Sequence, residues 1–265
     1  MKSSSSRRQP RTAIRTPDGL DQVYGIHALE SLLERGEAPR ELWVQQGAGS
    51  RLKEVVASAQ ASGARVKEHS RDVLDQLTQG AAHQGVVAFC LPLTPEGEES
   101  LWLKLRAWQA STPPLLLVLD GVTDVHNFGA CLRSADAAGA HGVIVAKDKA
   151  APLNATVRKV ACGAAEVVPV YQVTNLARTL AKLKDAGVWI TGTAGEAEAS
   201  VFEIDMTGPT ALVMGAEGKG MRRLTREACD NLAKLPMAGQ VSSLNVSVAT
   251  GICLFEAVRQ RQLAS

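Results

Sequence analysis

From residue 115 to the C-terminus, short apolar runs and longer amphipathic stretches alternate without a break, and this alternation constrains the fold more than any other feature of the chain. Apolar runs at 115–119, 142–146, 167–171, 188–193, 211–214 and 234–236 read as strands. Segments 127–138, 153–162, 175–185, 222–231 and 245–260 carry helical spacing. Strands interleaved with helices predict an α/β domain with a mostly parallel sheet covered on both faces, which is why its strands are apolar throughout rather than alternating. In such sheets ligands bind beyond the carboxyl ends of the strands. The polar clusters at 120–133, 191–196, 215–220 and 237–245 each follow a strand, so they are expected to gather on one edge.

Upstream, 23–33 has helical spacing, 41–44 reads as a strand, 51–62 as a helix stopped by Gly63, and 85–90 as a buried strand. This predicts a separate small α/β domain over 21–91. Residues 92–113, rich in Pro and acids, read as an interdomain linker, and 114–262 as the main domain. Residues 1–16 carry Lys2, Arg7, Arg8, Arg11 and Arg15 and no acid, which leaves 24 basic against 27 acidic residues in the rest of the chain. With too few apolar residues to fold around, 1–20 is expected to be a disordered basic tail, suited to a polyanion or simply solubilising. No apolar run approaches the roughly 20 residues needed to span a bilayer and no secretory pattern is visible, so a cytoplasmic protein is expected. Five separated cysteines read as buried free thiols, and neither they nor the histidines show metal-ligand spacing, so no metal is expected.

Three segments carry candidate chemistry. In DGVTDVHNFGACLRSADAAG (120–139), Asn127 stands where a loop becomes a helix, and Arg133 lies nearly two turns on in a run of small apolar residues. Taken alone, Asn127 is equally a helix cap, and Arg133 a salt-bridge partner of Asp136 or Asp120. ALVMGAEGKG (211–220) ends a strand in a glycine turn with one carboxylate, Glu217, able to hold a cation such as Arg133. It has neither the dinucleotide nor the P-loop spacing. In KLPMAGQVSSLNVSVATGI (234–252), Ser243 and Asn245 stand at a helix start, where capping is their ordinary role.

Together and in this order, the three segments resemble the motifs of the SpoU (TrmH-type) RNA ribose 2′-O-methyltransferases. Over 22–91 the chain resembles the L30e-like substrate-binding domain of the branch that methylates a guanosine in large-subunit rRNA. The resemblance implies a SPOUT domain with a C-terminal trefoil knot, although knots are otherwise nearly absent from folds. It implies Asn127, Arg133, Glu217, Ser243 and Asn245 as catalytic residues, with Glu217 orienting Arg133. It implies S-adenosyl-L-methionine held by Thr193, Gly195, Gly215, Leu235 and Leu244, large-subunit rRNA as partner, and a homodimer. A tRNA ribose methyltransferase of the same family and a catalytically silent RNA-binding assembly factor are the alternative readings. Val125 stands where the family usually has Pro, and Phe128 where it often has Leu.

Overall fold

The computed structural model describes residues 14, 16–34 and 36–264. Most of the basic tail expected over 1–20 therefore lies outside the described residues. The chain divides into two compact units, Met1–Leu91 and Pro92–Ser265.

The first unit runs β1 (Asp21–Tyr24), α1 (Ile26–Glu34), β2 (Glu41–Gln45), α2 (Ser50–Ala61), β3 (Arg65–His69), α3 (Arg71–Leu77) and β4 (Val86–Cys90). Its four strands lie in the order β1-β4-β2-β3, with β4 antiparallel to both β1 and β2 and with β2 parallel to β3. The helix expected over 23–33 starts later, at Ile26, because Gly25 takes φ 98° and breaks the chain between β1 and α1. Strand β3 escaped the pattern reading because an edge strand of mostly exposed residues (RVKEH) has no apolar alternation. Glu41 is buried under this sheet, where its Oε1 accepts from Lys67 Nζ and from Trp43 Nε1, each at 2.7 Å. Burial pushes the Glu41 carboxyl up, but these donors, with Arg65 nearby, hold its pKa below the usual 4.5.

The second unit opens with α4 (Glu98–Gln109), in the stretch read as a linker. That reading is corrected. Leu101 and Leu105 are fully buried against the sheet, each such burial contributing roughly 1.5–3 kcal/mol, and Glu96 bridges to Tyr171. The Pro- and acid-rich flanks masked a helix whose two fully buried positions, Leu101 and Leu105, lie a single turn apart. There follow β5 (Leu115–Asp120), α5 (Val125–Ala137), β6 (Gly142–Ala146), α6 (Ala155–Ala161), α7 (Ala164–Val167), β7 (Val170–Val173), α8 (Leu176–Asp185), β8 (Trp189–Thr193) and β9 (Ala199–Ser200). The chain closes with β10 (Thr210–Gly215), α9 (Arg223–Glu227), β11 (Asn231–Lys234) and α10 (Val246–Ala264). Several boundaries move from the expected ones; the largest changes are that Val167 ends a helix instead of starting a strand, α9 is one turn, and the strand expected at 234–236 lies at 231–234.

The seven strands are all parallel in the order β7-β6-β5-β10-β8-β11-β9. Leu115, Leu117 and Leu119 face α5 and α10 through Phe128, Leu132 and Leu254, while Leu116 and Val118 face α4 and α8 through Leu105, Leu180 and Leu183. Both faces are thus dry, as the unbroken apolar runs require. Strand order reverses around β5 and β10: the chain proceeds from β5 to β6 and β7 on one side and fills the other side afterwards. The carboxyl ends of β5, β10, β8 and β11 bring Asp120, Gly215, Thr193 and Lys234 to one edge of the sheet.

Candidate functional site

At this edge lie two adjoining cavities. The first, of about 480 Å³, is lined by Thr193 and Gly195 after β8, Gly215 and Glu217 after β10, and Leu235, Ser243 and Leu244 between β11 and α10. Met214 and Ala249 add apolar surface to its lining. The second, of about 600 Å³, is formed by the loop 120–124, Asn127, Lys149, Arg222 and Val246. The turn Ala216–Gly220 lines both, so Glu217 stands on the wall between them.

That turn is built by sequence. Ala216 and Gly220 exchange backbone hydrogen bonds of 3.1 and 2.8 Å, and Gly218 and Gly220 take φ 74° and 66°, a region that glycine enters without strain. Gly215 is required for a different reason: a Cβ there would lie 2.3 Å from both the Gly220 carbonyl carbon and the Met221 nitrogen. The strand end and the returning chain touch backbone to backbone. Thr193 Oγ1 donates to the Val213 carbonyl at 3.2 Å, holding the neighbouring strand end in register.

A small hydrogen-bonded cluster joins the three motif segments. Asn245 Nδ2 donates to Asn127 Oδ1 at 2.9 Å and to Glu217 Oε1 at 2.7 Å, and the Val246 amide donates to the same Glu217 oxygen at 3.2 Å. Glu217 thus places its carboxylate at the N-terminus of the 19-residue α10, where unpaired amides favour negative charge. Asn245 also caps α10, its Oδ1 accepting from the Ser247 amide at 2.9 Å. Asn127 is not the cap of α5: Asp124 is, accepting from the Asn127 amide at 2.8 Å, which leaves the Asn127 side chain free to reach Asn245.

Arg133 behaves differently from the other motif residues. It is exposed on α5, lines neither cavity, and donates to Cys162 Sγ at 3.8 Å. Within one chain Glu217 serves Asn245 and Val246 and does not meet Arg133. Nor does Arg133 pair with Asp120 or Asp136. Asp120, fully buried, accepts from the Arg222 amide at 2.7 Å and Arg222 Nε at 2.5 Å, tying the end of β5 to the chain beyond the glycine turn. Pattern reading missed this pair because 102 residues separate its members. It also missed Lys149 and Lys219, which line the second cavity, and Arg226, which pairs with Glu196 at the rim of the first. The thiols are less uniform than expected: Cys90, Cys131 and Cys253 are buried, Cys229 is partly so and Cys162 is exposed. Among the described residues no group of three or more His, Cys, Asp or Glu is placed to hold a metal ion.

Residues 114–255 match the SpoU rRNA Methylase family, and residues 22–96 match a family described as RNA 2′-O ribose methyltransferase substrate binding. The chain is 57% identical over 246 residues to a 23S rRNA (guanosine-2′-O-)-methyltransferase of Pseudomonas putida, covering 92% of this chain and 98% of that one. It is 55% identical to the protein of the same description from Escherichia coli, covering 91% and 99%. Among solved structures it is similar to the SpoU methyltransferase AviRb from Streptomyces viridochromogenes in complex with AdoMet (TM-score 0.75, 26% identity, 92% of each chain). It is also similar to an AdoMet-bound rRNA methyltransferase from Sinorhizobium meliloti (TM-score 0.72, 27% identity, 91% of this chain and 87% of that one).

Proposed function

The chain belongs to the SpoU rRNA methylase family, and on that premise we propose that it transfers a methyl group from S-adenosyl-L-methionine to the ribose 2′-oxygen of a guanosine in 23S rRNA. The observation that carries this reading is the shared wall: one glycine turn, bearing Glu217, bounds both a cavity with apolar surface and a polar one lined by three cations and three carboxylates. Donor and acceptor would meet across it.

The first cavity suits the donor. Its volume falls in the range typical of small-molecule sites, about 300–1,000 Å³. Met214, Leu235 and Leu244 offer apolar surface, and the Glu217 carboxylate faces a ligand that carries positive charge. Thr193, Gly195, Gly215, Leu235 and Leu244 are the residues assigned to hold it. When bound, S-adenosylmethionine supplies a methyl group already activated by its sulfonium. What the protein adds is alignment, which lowers a barrier by about 7–11 kcal/mol in favourable cases.

Asn127, Asn245 and Ser243 are assigned to orient the ribose. Glu217 Oε1 is engaged by Asn245 and Val246, so its second oxygen is the one available to accept the hydrogen bond of the attacking hydroxyl. Arg133 is assigned to stabilise the developing alkoxide and to grip the adjacent phosphate. A guanidinium, always charged near neutral pH, suits that task better than proton removal. Since Arg133 lies outside both cavities of its own chain, the reading places it in the site of a second copy. The surface for such a dimer is α10, where Val248, Ile252 and Phe255, spaced along one face, are 51%, 37% and 49% exposed. Helix α10 packs beside α5 through Cys131 Sγ and Thr250 Oγ1, 3.5 Å apart.

The unit over 21–91 is assigned as the rRNA-binding domain, and the C-terminal chain is inferred to thread a trefoil knot. Family membership supports the knot, as does the insertion of β10 between β5 and β8 followed by the return of residues 235–245 to the Gly215 turn. A cytoplasmic location follows from the ribosomal substrate, and among the described residues no helix is long and apolar enough to cross a membrane. The relatives and the substrate-binding match favour rRNA over tRNA. The test is incubation of the purified protein with labelled S-adenosylmethionine and unmodified 23S rRNA, followed by nucleoside digestion. Label is expected in 2′-O-methylguanosine; label on a base, or none, rejects the reading.

A further inference from the structure

The second cavity has a charge distribution that the shared-wall cluster does not use. Three carboxylates line it, and each has a partner: Asp120 is held by Arg222, Asp124 caps α5, and Glu217 accepts from Asn245 and Val246. Of its three cations, Arg222 is engaged with Asp120. Lys149 and Lys219 make no ion pair or hydrogen bond with any described residue. The cavity's carboxylates and cations balance in number, but Lys149 and Lys219 are the two charged groups in it with no partner among the described residues, so their ammonium groups are the donors free to meet a ligand.

Lys149 is placed there at a conformational cost. Its φ is 59°, a left-handed backbone that non-glycine residues seldom take, in the turn after β6. The turn is pinned: the Ala151 amide donates to the Val122 carbonyl at 2.8 Å, fastening it to the loop after β5 that forms the cavity wall. A lysine where glycine would fit the backbone better, unpaired and lining a polar cavity of about 600 Å³, calls for an anion.

Resting on the function proposed above, we infer that the second cavity seats the target nucleotide, turned out of its stack, and that Lys149 is the residue that binds its phosphate. Lys219, on the glycine turn that bounds the same cavity, supplies the second positive charge. Reading an unstacked nucleotide in a pocket is how enzymes reach atoms that a stacked strand conceals. A phosphate is the part of that nucleotide an ammonium recognises as a point charge, without regard to base.

The test uses the full-length protein and in vitro transcribed 23S rRNA. Filter binding across a salt series is measured for the parent, Lys149→Gly and Lys149→Arg, with calorimetric titration of S-adenosylmethionine alongside. Glycine suits the left-handed backbone, so its effect cannot be attributed to misfolding. For Lys149→Gly the slope of log K against log salt is expected to fall in magnitude by about 0.7, the value for one lost contact to a single strand. KM for RNA rises severalfold and cofactor affinity stays at the parental value. Lys149→Arg restores both slope and KM. An unchanged slope for Lys149→Gly with a methylating parent overturns the assignment of Lys149 alone, as does an arginine variant that behaves like the glycine one. A parent that methylates no ribose of this RNA overturns the functional reading and this inference with it.

Discussion

Replacing Gly215 by alanine is the sharpest single test of how this site is built. The added methyl would lie 2.3 Å from the Gly220 carbonyl carbon, 2.3 Å from the Met221 nitrogen and 2.8 Å from Gly220 Cα. Ordinary contact between carbon atoms begins near 3.5 Å, so the opposing chain must retreat by roughly 1 Å. The obstacle is backbone, which has no rotamer to change. Retreat must strain or break the Ala216–Gly220 hydrogen-bond pair that closes the turn. Overpacking of this kind costs about 1–3 kcal/mol, which for a unit of this size lowers Tm by roughly 2–12 °C. Because the turn walls both cavities, cofactor affinity should fall by at least tenfold. Differential scanning calorimetry and titration of S-adenosylmethionine measure the two effects. Gly195→Ala is the matched control for stability, since nothing lies within 4 Å of a Cβ there, and its effect should stay within about 0.5 kcal/mol. If Gly215→Ala melts with the parent and binds cofactor with parental affinity, the close approach of strand end and returning chain is not what shapes the site.

Arg133→Ala should abolish methyl transfer while cofactor affinity stays near parental, and mixing it with Glu217→Gln subunits should recover part of the activity through hybrid dimers. Failure of the mixture, with exchange verified by mass, would remove the assignment of Arg133 to the partner's site. Phe255→Asp puts a charge into the exposed apolar stripe of α10 and should give a monomeric mass in sedimentation, with activity lost; full activity at monomer mass contradicts the dimer. Glu41 has a folded-state pKa below its usual 4.5, so its contribution to stability is complete above that pH and is lost as pH falls through the folded value. Acid titration of unfolding should show this loss below about pH 4.5 in the parent. Lys67→Met, which removes one of the donors to Glu41, should reduce it; an identical acid limb in both proteins argues against the pair.

Much of the fold was legible in sequence because it is periodic. The apolar runs at 115–119 and 142–146 can only be strands covered on both faces, and they became β5 and β6. The three motif segments were legible because each couples a strand end or helix start to polar residues, and their order carried the family. Where the sequence misled, it did so for want of periodicity. The α4 helix shows only two fully buried positions between polar flanks, and β3 is an edge strand with no buried face.

Pairings across long stretches of chain belonged to tertiary structure alone. No local pattern says that Glu217 will bind the start of α10 rather than Arg133, or that Asp120 will hold Arg222. Those outcomes depend on which strand ends become neighbours, and strand order is decided by packing helices on both faces of one twisted sheet. Composition, motif chemistry and the succession of elements are properties of the chain read in one dimension. Which carboxylate meets which cation is decided by distances that exist only once β10 has entered between β5 and β8.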